Sequence, residues 1–132
     1  MIFVDTGAWF AAFVPNDPDH PAAKRWLADN NEPLVTTDYV LDEVLTLLRA
    51  RGEWRRGVAV GKAILEGSVA SLEWVVPDDV ATAFGAYQQY PASGWSFTDC
   101  VSRAVIQRLS ISTAFAFDDH FRQFGDLQVV PG

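Results

Sequence analysis

Thiol chemistry is almost absent from this chain: Cys100 is the single cysteine among 132 residues, so no internal disulfide can form. Cys100 falls inside an apolar helical pattern, where a lone thiol behaves as a small buried hydrophobe. Basic residues are scarce too. Ten Lys and Arg stand against seventeen Asp and Glu, a formal net charge of −7, and a polyanion would be repelled overall. No basic region precedes the first apolar stretch, an acid stands at position 5, and the uncharged run from Thr6 to Asn16 is too short to span a bilayer. Neither secretion nor membrane insertion is expected, and a reducing cytoplasm fits. Internal repeats, low-complexity tracts and linkers are also missing. One domain over residues 1–132 is therefore expected, its 49% hydrophobic content burying about two thirds of the unfolded surface around one core.

The scarce basic charge is unevenly spread. Arg49, Arg51, Arg55, Arg56 and Lys62 make up half of it. That cluster suits a phosphate backbone or, equally, a solvated helix surface.

Apolar runs and punctuation alternate along the chain. Strands are expected at Ile2 to Asp5, Leu34 to Thr36, Leu72 to Val76, Thr113 to Phe117 and Leu127 to Val130. Helices are expected near Gly7 to Phe13, Pro21 to Asn30, Asp38 to Arg51, Trp54 to Glu66, Asp78 to Tyr90, Phe97 to Leu109 and Asp119 to Phe124. Pro15-Asn16-Asp17-Pro18 and Pro91-Ala92-Ser93-Gly94 read as loops, and Gly52 as a helix end. This βαβ rhythm predicts an α/β fold, a parallel sheet covered on both faces.

Four acids stand out against that frame. Asp5 follows Ile2-Phe3-Val4 and precedes Thr6-Gly7-Ala8-Trp9, a strand end turning into a helix. Asp118 repeats the arrangement after Thr113-Ala114-Phe115-Ala116-Phe117. In open α/β sheets ligands bind outside the carboxyl ends of the strands, so both fall where a site is expected. An Asp at such a junction also serves as an ordinary N-cap. Glu43 lies on the flank of an apolar stripe beside Val40 and Leu47, whereas Asp42 points nearly opposite. A flank glutamate is commonly a boundary residue with a packed stem and a wet head. Asp99 sits three residues after Ser96, the spacing of a capping box, and gains from the helix dipole there. Capping and ligation are compatible.

Val4-Asp5-Thr6, Thr37-Asp38-Tyr39-Val40-Leu41-Asp42-Glu43, Ser96-Phe97-Thr98-Asp99-Cys100 and Thr113 to Phe121 together resemble a PIN-domain ribonuclease. In size and motif wording the chain is most similar to the VapC toxins of bacterial toxin–antitoxin pairs. The resemblance implies a single-domain α/β/α sandwich with a five-stranded parallel sheet in order 3-2-1-4-5. It implies Mg²⁺ or Mn²⁺ held by Asp5, Asp99 and Asp118, with Glu43 completing a second or transient position. Thr6 and Ser96 match hydroxyls that orient acids or water. Asp119 places an extra acid beside the fourth motif, and Asp118, following the strand, is the expected ligand. Implied too are cleavage of RNA by metal-activated water, a homodimer, and a cognate antitoxin whose tail enters the acidic groove.

The residue types suit that chemistry. Magnesium prefers oxygen ligands at about 2.0–2.1 Å and keeps several waters, so carboxylates should line its site. His20 and His120 are poor ligand candidates on that ground. Close carboxylates raise each other's proton affinity unless a cation joins them. A phosphatase of the haloacid-dehalogenase type would need a second Asp where Gly7 stands, and a receiver domain an acidic pair at the first strand end. A catalytically silent binding module is the remaining alternative, as is an RNA-processing nuclease without an antitoxin. Trp9, Trp26, Trp54, Trp74 and Trp95 could serve interfaces, but core packing is the expected use for most.

Overall fold

Ile2-Phe3-Val4 form β1 and are buried on both faces, as a strand inside a parallel sheet must be. A computed structural model describes residues 1–132. After β1 come α1 (Thr6–Phe13), α2 (His20–Asp29) and β2 (Leu34–Thr37). Then follow α3 (Asp38–Ala50), α4 (Trp54–Leu65) and β3 (Ser71–Glu73). The chain continues through α5 (Pro77–Gln89), α6 (Phe97–Arg108) and β4 (Thr113–Phe115), a 3-10 helix (Asp119–Gln123) and β5 (Gln128–Val130). All strand pairs are parallel, in the order β3-β2-β1-β4-β5. The order is the expected one. Each of the three longer crossovers carries two helices, and none is long and apolar enough to cross a membrane.

The register decides which residues face which layer. Ile2 pairs with Leu34 and Phe3 with Val35, which sets Thr36 beside Val4. On the other side Val4 pairs with Phe115. Thr36 accepts a hydrogen bond from Trp9 Nε1 of α1, and Phe115 packs against Trp26 of α2 with ring centroids 4.4 Å apart. So α1 and α2 cover this face. Phe3, pointing oppositely, stacks on Phe121 of the 3-10 helix at 6.2 Å. Right-handed crossovers place α3 and α4 with α1 and α2, and send α5 and α6 to the face of Phe121, because the path from β3 to β4 runs back across the sheet.

Three elements end earlier than their sequence suggests. In β3 the strand stops at Glu73, since Val75 N donates to Asp38 Oδ1 at 2.8 Å and Val76 N to Asp79 Oδ2 at 3.1 Å, so carboxylates take over from the ladder. In β4 the strand stops at Phe115, opposite the end of β1, where Asp5 N donates to Phe115 O and the chain turns into α1. Asp118 therefore stands three residues beyond the strand rather than directly after it. The expected last helix is only one 3-10 turn, closed by Gly125 at φ +78°.

The hairpin of α3 and α4 turns at Gly52, φ +73°, a left-handed position that favours glycine. Two of the five tryptophans stay out of the core: Trp54 is 55% exposed and Trp74 61%. Cys100 is buried, as its apolar context requires.

One ion-pair cluster ties β3, α5 and α6 together. Arg108 grips buried Asp79 with two bonds, Nε to Oδ1 at 2.8 Å and Nη2 to Oδ2 at 2.9 Å, and reaches Glu73 at 3.1 Å. The guanidinium holds the Asp79 carboxyl below its ordinary value of 3.8. Removing one partner leaves the other buried and unpaired. Arg108→Ala should destabilise the fold by about 2 kcal/mol at pH 7, read by urea unfolding. Because the folded carboxyl ionises below the unfolded one, this contribution is present above pH 4 and lost as pH falls further. A difference between variant and parent that is unchanged at pH 3 would refute it.

Candidate active site

Asp5 occupies the N-cap position of α1 yet makes no capping bond with its side chain. Its backbone is fully used: Asp5 N donates to Phe115 O at 3.1 Å and Asp5 O accepts from Trp9 N at 3.1 Å. The buried hydroxyl of Thr36, donating to Val4 O at 3.1 Å, secures the strand end just before it. The carboxylate is thus held at the carboxyl edge of the central strand, buried, with no cation against it. Burial pushes its pKa up to about 7; a hydrogen bond from the Thr6 backbone lowers it somewhat, and the charges of Asp99, Glu43 and Asp118 raise it further. The ordinary value is 3.8.

A cavity of about 310 Å³ with no hydrophobic lining opens over this carboxylate. Asp5, Thr6 and Gly7 form one wall, Glu43 of α3 a second, Ser96 and Asp99 of α6 a third, and Asp118 and His120 a fourth, with Gly94 between. All four acids and both hydroxyls singled out in the sequence therefore meet in one place. Asp119 does not: its side chain is 91% exposed and pairs loosely with Arg122 at 3.9 Å.

Two of the acids also cap helices, as their contexts require. Asp99 N donates to Ser96 Oγ and Ser96 N to Asp99 Oδ2, both at 3.0 Å, closing the capping box of α6. Asp118 Oδ1 accepts from His120 N at 2.9 Å. In each case one carboxylate oxygen serves the fold. Asp99 Oδ1 and Asp118 Oδ2 take part in no hydrogen bond.

His120, a poor ligand candidate on sequence grounds, sits in the pocket. Its Nδ1 lies 2.9 Å from Asp99 Oδ2 and 3.3 Å from Asp118 Oδ1. One ligand atom from each of these three residues fits within 4.8 Å of the others. The signal was the spacing of two from Asp118, which lets one turn aim both side chains at a common point. His20 plays another part: its Nδ1 is bonded to Ala11 O at 2.7 Å.

The donor set fits a hard divalent cation. It offers carboxylate oxygens, and the buried Thr6 Oγ1 has no hydrogen-bond partner. A buried acid with no cation beside it is tolerated at neutral pH by taking a proton or by receiving a cation.

The basic stretch over residues 49–62 splits among several tasks. Arg56 bonds Phe13 O and Glu53, and Arg51 lies over the Phe10 ring at 5.6 Å. Arg49 and Lys62 flank an apolar groove between α3 and α4.

Metal-free protein should grow less stable as pH rises from 4 to 8. The folded state keeps the Asp5 proton up to about pH 7, whereas the unfolded chain releases it near 3.8, so ionisation costs the folded state about 4 kcal/mol above pH 7. Urea unfolding with a chelator should show this slope in the parent and a flatter one in Asp5→Asn. Equal slopes would contradict it.

Comparison with known proteins agrees with this architecture. A PIN-domain model matches residues 2–127. The 23S rRNA-specific endonuclease VapC20 of Mycobacterium tuberculosis is 36% identical over 131 residues, 99% of each chain. The crystal structure of that VapC20, described as a sarcin-ricin loop cleaving toxin, superposes with a TM-score of 0.89 at 34% identity over 95% of each chain. VapBC2 from Rickettsia felis, bound to a promoter DNA fragment, shares the fold at a TM-score of 0.68 and 13% identity, covering 98% of this chain and 97% of that one. FitAcB from Neisseria gonorrhoeae does so at 0.66 and 13%, covering 98% and 96%. With a family model spanning almost its whole length and a full-length relative more than one-third identical, the chain belongs to the PIN-domain family.

Proposed function

We propose that this protein is a divalent-metal-dependent endoribonuclease of the VapC type, the toxin of a toxin–antitoxin pair. The observation that carries the proposal is the acidic pocket built around a buried Asp5 that no cation of the chain answers. The full-length similarity to an rRNA-specific endonuclease supports RNA as the substrate, and 23S rRNA is the first one to test.

Asp5, Asp99 and Asp118 hold Mg²⁺ or Mn²⁺ in this reading, and Glu43 from the facing helix completes a second or transient position. Bound there, the cation neutralises the acids, polarises a phosphate oxygen and lowers the pKa of water. The chain's own residues do the positioning. Ser96 N donates to Asp99 Oδ2 and fixes the carboxylate, leaving Oδ1 for the pocket, while the Ser96 hydroxyl accepts from the Asp99 backbone N–H. His120 holds Asp99 and Asp118 side by side. The unpartnered Thr6 hydroxyl donates to Asp5 or to water. No nucleophilic side chain is needed. A homodimer, a cytoplasmic location and an antitoxin that offers a basic side chain to the acids complete the proposal.

Purified protein with Mg²⁺ should cut 23S rRNA at a discrete position, and Asp5→Asn should lower the rate at least about a hundredfold while keeping the fold. Full activity in that variant would remove the site assignment. Millimolar Mg²⁺ or Mn²⁺ should raise the melting temperature of the parent by several degrees, because a ligand that binds only the folded state stabilises it by about 2.7 kcal/mol at one hundred times its Kd. The same shift in an Asp5→Asn/Asp99→Asn double variant would mean that the ion binds elsewhere.

A further inference from the structure

The loop from Tyr90 to Ser96 borders two cavities. Gly94 and Ser96 line the acidic one, while Tyr90, Ser93 and Trp95 line a neighbour of about 500 Å³. The neighbour differs in chemistry: its charged wall is Arg103 of α6, and the rest is aromatic or neutral. Arg103 enters no ion pair, and its Nε is buried without a hydrogen-bond partner. Its guanidinium carbon lies 5.7 Å from the Tyr90 ring centroid and 5.6 Å from that of Trp95. Every other contact there is one of assembly. Trp95 Nε1 donates to Gln123 Oε1 at 3.1 Å, Phe124 meets the Trp95 ring edge-on at 5.2 Å, and Tyr90 tilts against it at 5.2 Å. The Ser93 hydroxyl bonds Tyr90 O and receives Trp95 N, which fixes the loop between the rings.

A rigid aromatic pair beside a cation with unused donors fits one ligand class well. Bases in single-stranded RNA stack on aromatic faces, and an adjacent guanidinium donates to the phosphate oxygens. The position also matters, because an RNA approaching the acid-lined cavity of a chain with net charge −7 meets repulsion. A cation next door compensates locally. Resting on the endoribonuclease reading, we propose that Tyr90, Trp95 and Arg103 form a subsite for one nucleotide of single-stranded RNA flanking the cleavage position. The base stacks on the Trp95 and Tyr90 rings, and Arg103 donates to its phosphate.

The test measures binding apart from cleavage. Anisotropy of a short fluorescein-labelled oligouridylate is followed on Asp5→Asn protein in Mg²⁺, alone and combined with Arg103→Gln, Trp95→Leu or Tyr90→Leu. Each added change should weaken binding about tenfold. Arg103→Gln should also lower the slope of log affinity against log salt by about 0.7, one phosphate contact in a single strand. Should Trp95→Leu melt early, Tyr90→Leu and Arg103→Gln carry the result, with the salt slope as the readout that loss of packing does not imitate. Oligouridylate binding as tight as the parent's in these variants overturns the subsite, even if the parent cleaves RNA. So does failure of the parent to bind the oligonucleotide, or an acidic peptide taken up at Arg103 in its place. An inactive wild type whose RNA binding still depends on Arg103 would instead sink the nuclease reading and leave the subsite standing.

Discussion

A carboxylate buried at the end of the central strand, with no cation of its own chain beside it, sets the terms for the rest of this molecule. Such a group is tolerated if it holds a proton or if a cation arrives from outside. The fold does not relieve Asp5; it holds it in place. β1 is flanked on both sides by parallel strands, the Asp5 amide extends the ladder to Phe115, and the Thr36 hydroxyl ties the neighbouring strand to Val4.

Around it, residues meet local demands and pocket demands with different atoms. Asp99 completes a capping box with one oxygen and keeps the other free. Asp118 caps the 3-10 turn with one oxygen and also faces the cavity. His120 ties those two acids together. Elsewhere the chain neutralises its buried acid in the ordinary way, as Arg108 does for Asp79. Asp79 is gripped by a guanidinium, whereas Asp5 is left without one.

Charge poses a second problem, since a polyanion approaching the pocket meets a chain of net charge −7. The basic residues over 49–62 were the natural suspects, but two of them are engaged in holding α1 to the α3–α4 hairpin. Arg103 carries a better claim. It stands alone, stacked on aromatics, in the cavity that shares a loop with the acids.

The sequence determined by itself the alternation of elements, the parallel sheet and the identity of the acids that share the pocket, while the strand order came from the family resemblance its motifs carry. Buried strands announce themselves as short apolar runs, and three of the acids stand at element junctions with the fourth, Glu43, on a helix flank. Its errors were local. Leu72 to Val76 and Thr113 to Phe117 read as five-residue strands, because sequence shows which residues can extend and not where partners run out. Only the tertiary structure decided that Asp38 and Asp79 end β3, that Asp118 and not Asp119 lines the pocket, and that His120 joins it there. It alone decided that Asp5 goes uncapped and that Arg103 lies over the rings of Tyr90 and Trp95 in the loop before its own helix. Apolar periodicity is written in neighbouring residues, whereas burial, shared cavities and the absence of a partner arise only when segments far apart in the chain are packed together.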